Sequence, residues 1–201
     1  MIAYAIQAAR SSRLFDRIVV STDSPQVAKI SQKFGAEAPF FRPPELAGDS
    51  VPTVPVIRHA IRACQGLGWR PRNVCCVYPC NPLLSGGQLV AAYKMLQKKP
   101  KTYVFPVVKI PKPIQFALGR TKAGLTYPLK RGRKLMRTQD FRPAYHDAGQ
   151  YYWGCTNTWN TKTNIHKKSV SVVIPPLQAI DIDTKEDWEQ ALLAFKILKK
   201  K

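Results

Sequence analysis

Arg17-Ile18-Val19-Val20-Ser21-Thr22-Asp23-Ser24-Pro25 changes character twice within one short stretch, and that double change decides the fold class. Ile18 to Val20 form a β-branched apolar run typical of a buried strand. Thr22-Asp23-Ser24-Pro25 then supplies a helix cap followed by a proline suited to the first helical turn. Upstream, Ile2, Ile6 and Ala9 recur at helical spacing; downstream, Val27, Ile30 and Phe34 share one helical face, which Gly35 closes. The reading is helix, strand, helix.

The alternation continues. Val56, Ile57, Ala60, Ile61 and Cys64 stripe a helix over 53–64, and Leu89, Ala92 and Leu96 stripe another over 85–98. Compact apolar runs at 73–78 and 103–108 read as strands between them. Short strands alternating with amphipathic helices predict an α/β domain with a mostly parallel sheet covered on both faces. From 111 to 142, Gly119, Gly124 and Gly132 interrupt short mixed runs, which suggests loops and short strands inserted as an arm. Strand character returns at 151–153 and 169–174. A last helix starts near Thr184, with Trp188, Ala191, Leu192, Phe195 and Leu198 as its apolar stripe.

The chain's 201 residues suffice for one domain with a real core, and no linker, repeat or low-complexity tract divides it. No apolar run is long enough to cross a membrane, and the first residues carry arginines rather than an export signal. The five cysteines, odd in number and mostly in apolar context, read as reduced thiols, which points to the cytoplasm. Cys76 and Cys80 have no second pair or histidine partner at zinc spacing. The net charge of +20 attracts phosphates or nucleic acid, but no basic helix, zinc finger or RNP-type motif accompanies it. An acidic, triphosphate-bearing substrate would benefit from the same field.

Several clusters carry possible chemistry. Asp181 and Asp183 stand at i and i+2, on one face of an extended segment, where they suit either a hard divalent cation such as Mg2+ or the capping of the last helix. Tyr145-His146-Asp147-Ala148-Gly149-Gln150 is the densest polar cluster beside a strand. Alternation separates His146 from Asp147, while Gln150 and Tyr152 share a face and suit either a polar substrate or an ordinary turn into a strand. Asn81 lies in Tyr78-Pro79-Cys80-Asn81-Pro82, a loop after a strand and before a helix, where ligands gather in open α/β sheets. Ser21 and Asp23 occupy a similar strand end, or act only as caps. Arg137 offers a planar fork suited to a carboxylate, or is an ordinary surface arginine. The phosphate-cradling GxxxxGK[ST], the dinucleotide GxGxxG and the hydrolase GxSxG are all missing from the sequence.

Four segments in order, at 15–23, 35–43, 145–153 and 181–188, closely resemble the acylneuraminate cytidylyltransferases, and the likeness spans nearly the whole chain. The His146-Asp147-Ala148-Gly149-Gln150 segment looks most like the branch that activates pseudaminic acid. The resemblance implies a three-layer, Rossmann-like nucleotidyltransferase fold. It also implies CMP transfer from CTP to an acidic nine-carbon sugar, with an N-acetylneuraminate enzyme or an inactive sugar-binding relative as alternatives. By the same likeness Asp181 and Asp183 hold Mg2+, and Asn81, Ser21 and Asp23 face the nucleotide. Gln150, Tyr151, Tyr152, His146 and Asp147 fall to the sugar, and Arg137 to a carboxylate or phosphate. The arm at about 111–145 corresponds to one that joins two subunits of a homodimer. No general base is implied. Family members begin with a strand and a Pro-Ala-Arg-Gly-Gly-Ser-Lys loop ahead of the segment matching residues 1–9, so the expectation is a single domain, 1–201, lacking that first strand and either N-terminally incomplete or inactive.

Overall fold

The computed structural model describes residues 1–129, 137, 140–182 and 184–199. The first helix, α1 (Ile2–Ser12), buries Ala5, Ile6, Ala8 and Ala9 and stops at Arg13, whose φ of 55° is the left-handed termination. α2 (Pro25–Lys33) begins as its sequence dictates: the Ser24 hydroxyl accepts from the Val27 amide at 3.3 Å, with Pro25 in the first turn. α3 (Thr53–Gly66) and α4 (Gly86–Lys98) follow, the latter opened by a reciprocal capping box between Ser85 and Gln88. Gly86 is required there, because a Cβ would lie 2.7 Å from the Ser12 amide nitrogen. That close approach seats the start of α4 on the end of α1.

The main sheet comprises β1 (Asn73–Val77), β2 (Val104–Lys109), β5 (Tyr145–Asp147), β6 (Tyr151–Cys155) and β7 (Val170–Val173). β3 (Leu118–Arg120) and β4 (Thr126–Pro128) form a separate antiparallel hairpin. Alternation along the strands divides the core. Val104, Tyr151 and Trp153 pack with Ala8, Ala9, Leu89, Ala92 and Leu96 on one face. Tyr103, Phe105, Val107 and Tyr152 pack with Val54, Ile61 and Trp159 on the other. Helices therefore cover both faces: α1 and α4 on one, α3 and α5 (Thr156–Thr161) on the other. α5, which the sequence reading did not anticipate, carries Trp159 into the core, where its indole N–H donates to the Val74 carbonyl at 3.1 Å.

The expectation of a mostly parallel sheet is overturned. β1 with β6, β6 with β2, and β2 with β5 are all antiparallel, and only β2 with β7 runs parallel. The cause is one returning segment, 145–155, which lies beside β2 as β5, bends at 148–150, and continues as β6 between β1 and β2. A second correction concerns the opening stretch. The run 17–21 forms no named strand; it makes only isolated parallel bridges, Val19 with Glu37 and Thr22 with Phe41. Those bridges rest on three backbone hydrogen bonds, from Val20 to Glu37, from Glu37 to Ile18 and from Arg42 to Thr22, too few to form a continuous ladder.

The last helix, α6 (Lys185–Lys199), is capped by Thr184: its hydroxyl accepts from the Asp187 amide at 3.2 Å, and the Asp187 carboxylate accepts from the Thr184 amide at 2.8 Å. No described helix is long and apolar enough to cross a membrane.

Candidate active site

β1 and β2 both oppose β6, and β7 runs with β2, so these three strands point the same way and release their loops at one edge of the sheet. In open α/β sheets that carboxyl edge is where ligands bind. The returning segment enters β6 from the same edge through the turn at 147–150.

Hydrogen bonds tie those pieces together. The Tyr78 amide donates to the Gln150 carbonyl at 2.9 Å. Asn81, buried, donates its side-chain N–H to the Tyr78 carbonyl at 2.9 Å and to the Gln150 carbonyl at 3.4 Å. Gln150 is 1% exposed and donates through Nε2 to the carbonyl of Gln178, in the loop after β7. Gln88 of α4 also reaches Gln178, at 3.2 Å. The Gln150 Oε1 is buried without a partner among the described residues, an acceptor whose burial costs about 1–3 kcal/mol unless something donates to it.

The turn itself is built by Asp147. One carboxylate oxygen accepts from the Gly149 amide at 2.9 Å; the other accepts from the Tyr152 hydroxyl at 2.9 Å and from His166 Nε2 at 2.6 Å. Gly149 has a φ of 62°, a left-handed conformation that glycine adopts freely, and a Cβ there would stand 3.9 Å from Asp181 Oδ2. The turn thus lies against Asp181. Burial, and then the neighbouring Asp147 charge, push the Tyr152 phenol well above its ordinary range, so it stays a donor to that carboxylate. Tyr78 meets Tyr152 edge-on at 5.5 Å, and its own phenol, raised mainly by burial, bonds the Thr53 hydroxyl at the start of α3.

The structure brings Asn81, Gln150, Asp147, Tyr152 and Asp181 together. Tyr151 faces the opposite side of the sheet, fully buried, its hydroxyl donating to the Gln88 carbonyl at 3.2 Å. His146 is exposed, its Nδ1 2.9 Å from the Asp147 carbonyl oxygen. Asp181 is exposed and makes no hydrogen bond or ion pair among the described residues. The last helix is capped by Thr184 with Asp187, one of the two caps the sequence offered, and that cap does not engage Asp181. Asp183 lies outside the described residues. Arg137 is exposed and joins the cluster through no described contact.

Ser21 and Asp23 join this cluster through no described contact. Asp23 is exposed, while the Ser21 hydroxyl is buried and unpartnered. Beside it lies a residue that sequence reasoning quoted without assigning a role: Arg42 donates to the Ser21 carbonyl at 2.6 Å and leaves its Nε buried with no partner. Its charge is felt at Cys76 of β1 and opposes the burial that pushes that thiol up to about 12. His166 was missed as well; nothing in the run Asn164-Ile165-His166-Lys167-Lys168 marks it in sequence.

A three-layer α/β sheet with a carboxylate and an amide cluster at its carboxyl edge defines a nucleotide-using class, and comparison specifies which. The chain belongs to the cytidylyltransferase family, whose profile matches residues 1–197. It is 33% identical over 198 residues to the pseudaminic acid cytidylyltransferase of Campylobacter jejuni, covering 98% of this chain and 85% of that protein. It is 26% identical to the N-acylneuraminate cytidylyltransferase of Escherichia coli, over 96% of this chain and 45% of that one. Among solved structures, a CMP:2-keto-3-deoxy-manno-octonic acid synthetase complexed with CTP superposes with a TM-score of 0.63, at 12% identity, over 97% of this chain and 88% of that one, a likeness of fold.

Proposed function

We propose that this protein transfers CMP from CTP to a nonulosonic acid, with pseudaminic acid as the acceptor, and releases pyrophosphate. The observation that carries the reading is the free carboxylate of Asp181 beside the Gly149 turn, in a chain of the cytidylyltransferase family. The acceptor assignment rests on the likeness to the Campylobacter jejuni pseudaminic acid enzyme across nearly the full chain.

In the reaction the sugar's anomeric hydroxyl oxygen bonds to the α-phosphorus of CTP while the bond from that phosphorus to pyrophosphate breaks. Asn81, Ser21 and Asp23 serve the nucleotide, from the loops after β1 and after the 17–21 segment. Gln150 offers its unpartnered Oε1 to a sugar N–H or O–H, and the exposed His146 borders the same turn. Asp147, Tyr151 and Tyr152 hold that turn and its strand in place, since their polar atoms are engaged within the protein. Arg137 is proposed for the sugar carboxylate or a phosphate.

We propose Asp181 and Asp183 as the carboxylates that hold Mg2+, with substrate phosphates supplying the other ligands; the exposed carboxylate of Asp181 is a hard oxygen donor that suits this ion, and Asp183 lies outside the described residues. Bound there, Mg2+ would neutralise charge on the triphosphate and the departing pyrophosphate.

The hairpin is proposed as the arm of a homodimer, within a single domain spanning 1–201. Leu118, Leu125, Tyr127 and Leu129 are exposed along it, and a cavity of about 470 Å³ at its base is lined by Ile110, Pro113, Ile114 and Phe116. None of the candidate site residues lines that cavity. A cytoplasmic location is proposed from the use of CTP and from free cysteines. Incubating the protein with CTP, Mg2+ and purified nonulosonic acids in parallel tests the function: CMP-sugar formed with pseudaminic acid supports it, and formation with N-acetylneuraminate alone reassigns the acceptor.

A further inference from the structure

We propose that His166 is a positioning residue for the sugar-binding turn, acting through Asp147. The inference rests on the cytidylyltransferase reading above and adds to it a residue from a separate loop, between α5 and β7.

Asp147 arranges three groups at once: the Gly149 amide on one oxygen, and the Tyr152 phenol and His166 Nε2 on the other. An ionised carboxylate only accepts, so Nε2 carries the proton it shares with Asp147. At 2.6 Å this is the shortest of the three bonds, and it fixes the rotation of the carboxyl plane that the Gly149 amide depends on. His166 is itself held. Its ring meets Phe105 of β2 edge-on at 5.2 Å and 90°, and its amide donates to the Asn164 side chain at 2.9 Å. The imidazole therefore transmits the position of the rigid sheet to the turn.

The turn's position matters because Gly149 lies against Asp181 and Gln150 carries the orphaned acceptor. The His166 side chain is 62% exposed, so its bond to Asp147 contributes little to global stability. Its consequence is geometric instead: without it Asp147 is held only by the Gly149 amide and the Tyr152 hydroxyl, the carboxyl plane is less constrained, and the turn is anchored less firmly.

The test compares the protein with its His166→Ala and His166→Gln variants, the second of which keeps a donor N–H near the Nε2 position. Steady-state assays with CTP and pseudaminic acid should show the sugar KM rising about tenfold in His166→Ala, because small misplacements at a site are costly, with the KM for CTP unchanged. Hydrogen exchange at the Gly149 amide should accelerate in the same variant, and His166→Gln should restore both readouts. Unchanged Gly149 exchange and sugar KM in His166→Ala would overturn the proposal, as would equal rises in both KM values with a lowered Tm, which would mark a merely structural role. If the wild-type protein forms no CMP-sugar, the functional reading fails by itself. Gly149 exchange then still decides whether His166 holds the turn.

Discussion

The side-chain amide of Asn81 donates to the backbone carbonyl of Gln150 at 3.4 Å, joining the loop after β1 to the turn before β6 across 69 residues of sequence. The same Nδ2 holds the Tyr78 carbonyl at 2.9 Å, so one buried group sets the relative position of the loop after β1 and the turn before β6.

Replacing Asn81 with alanine removes the side-chain donor to the Tyr78 carbonyl and one of the two donors to the Gln150 carbonyl, which keeps the Tyr78 amide. Loss of a buried hydrogen-bond partner costs about 1–3 kcal/mol, which should appear as a lower midpoint in urea. The KM values for CTP and sugar should rise together, because the loops move apart. An unchanged midpoint would show that the bond contributes nothing.

Substitutions at Asp181 and Thr184 should separate the proposed catalytic role from capping. Thr184→Ala removes a helix cap and should destabilise by about 0.5–2 kcal/mol with activity retained below the melting transition. Asp181→Asn should do the reverse, lowering kcat about 100-fold or more at unchanged Tm, since electrostatic groups at a reacting phosphate are worth that much. Thermal melts beside initial rates distinguish them.

Burial raises the phenols of Tyr103, to about 12, and of Tyr151 and Tyr152 from their ordinary value of 10.0. A raised folded-state value means that the native protein keeps protons the unfolded chain has released. The associated stability is fully present below pH 10.0 and is lost as the pH climbs from there through the folded values. Alkaline titration should therefore show phenolate absorbance for these tyrosines appearing together with unfolding. Smooth ionisation near pH 10 in the folded protein would contradict the burial argument.

The cysteines should differ in reactivity. Cys75 and Cys76 lie in β1 with thiols pushed up by burial, whereas Cys80 is exposed beside Asn81. Aromatic disulfide reagents at mildly alkaline pH should label Cys80 quickly and reach Cys75 and Cys76 only in denaturant. Labelling of Cys80 should also raise the KM for CTP, because the adduct crowds the loop after β1.

The helices were legible because local chemistry marks them. Ser24 with Pro25 and Ser85 with Gln88 cap α2 and α4, and the stripes through Ala92 and Ile61 point into the core. The strands were located as well, at 73–77, 104–109 and 151–155. Their directions were not, because a fully buried strand reads the same whichever way its neighbours run, and nothing local announces that 145–155 returns between β1 and β2. The same blindness affected the site. Asp147 was visible as a polar residue, but its partner His166 sits in a loop whose only signal is charge. Arg42 stood in plain view in Phe41-Arg42-Pro43, without a cue that it reaches Ser21.

The most direct measurement of the central claim is pyrophosphate release by the protein given CTP, Mg2+ and pseudaminic acid, with Asp181→Asn in parallel. The account predicts release by the wild type, in step with CMP-sugar formation, and its near abolition in the Asp181 variant or after chelation of the metal. Release that survives both Asp181→Asn and chelator would contradict it.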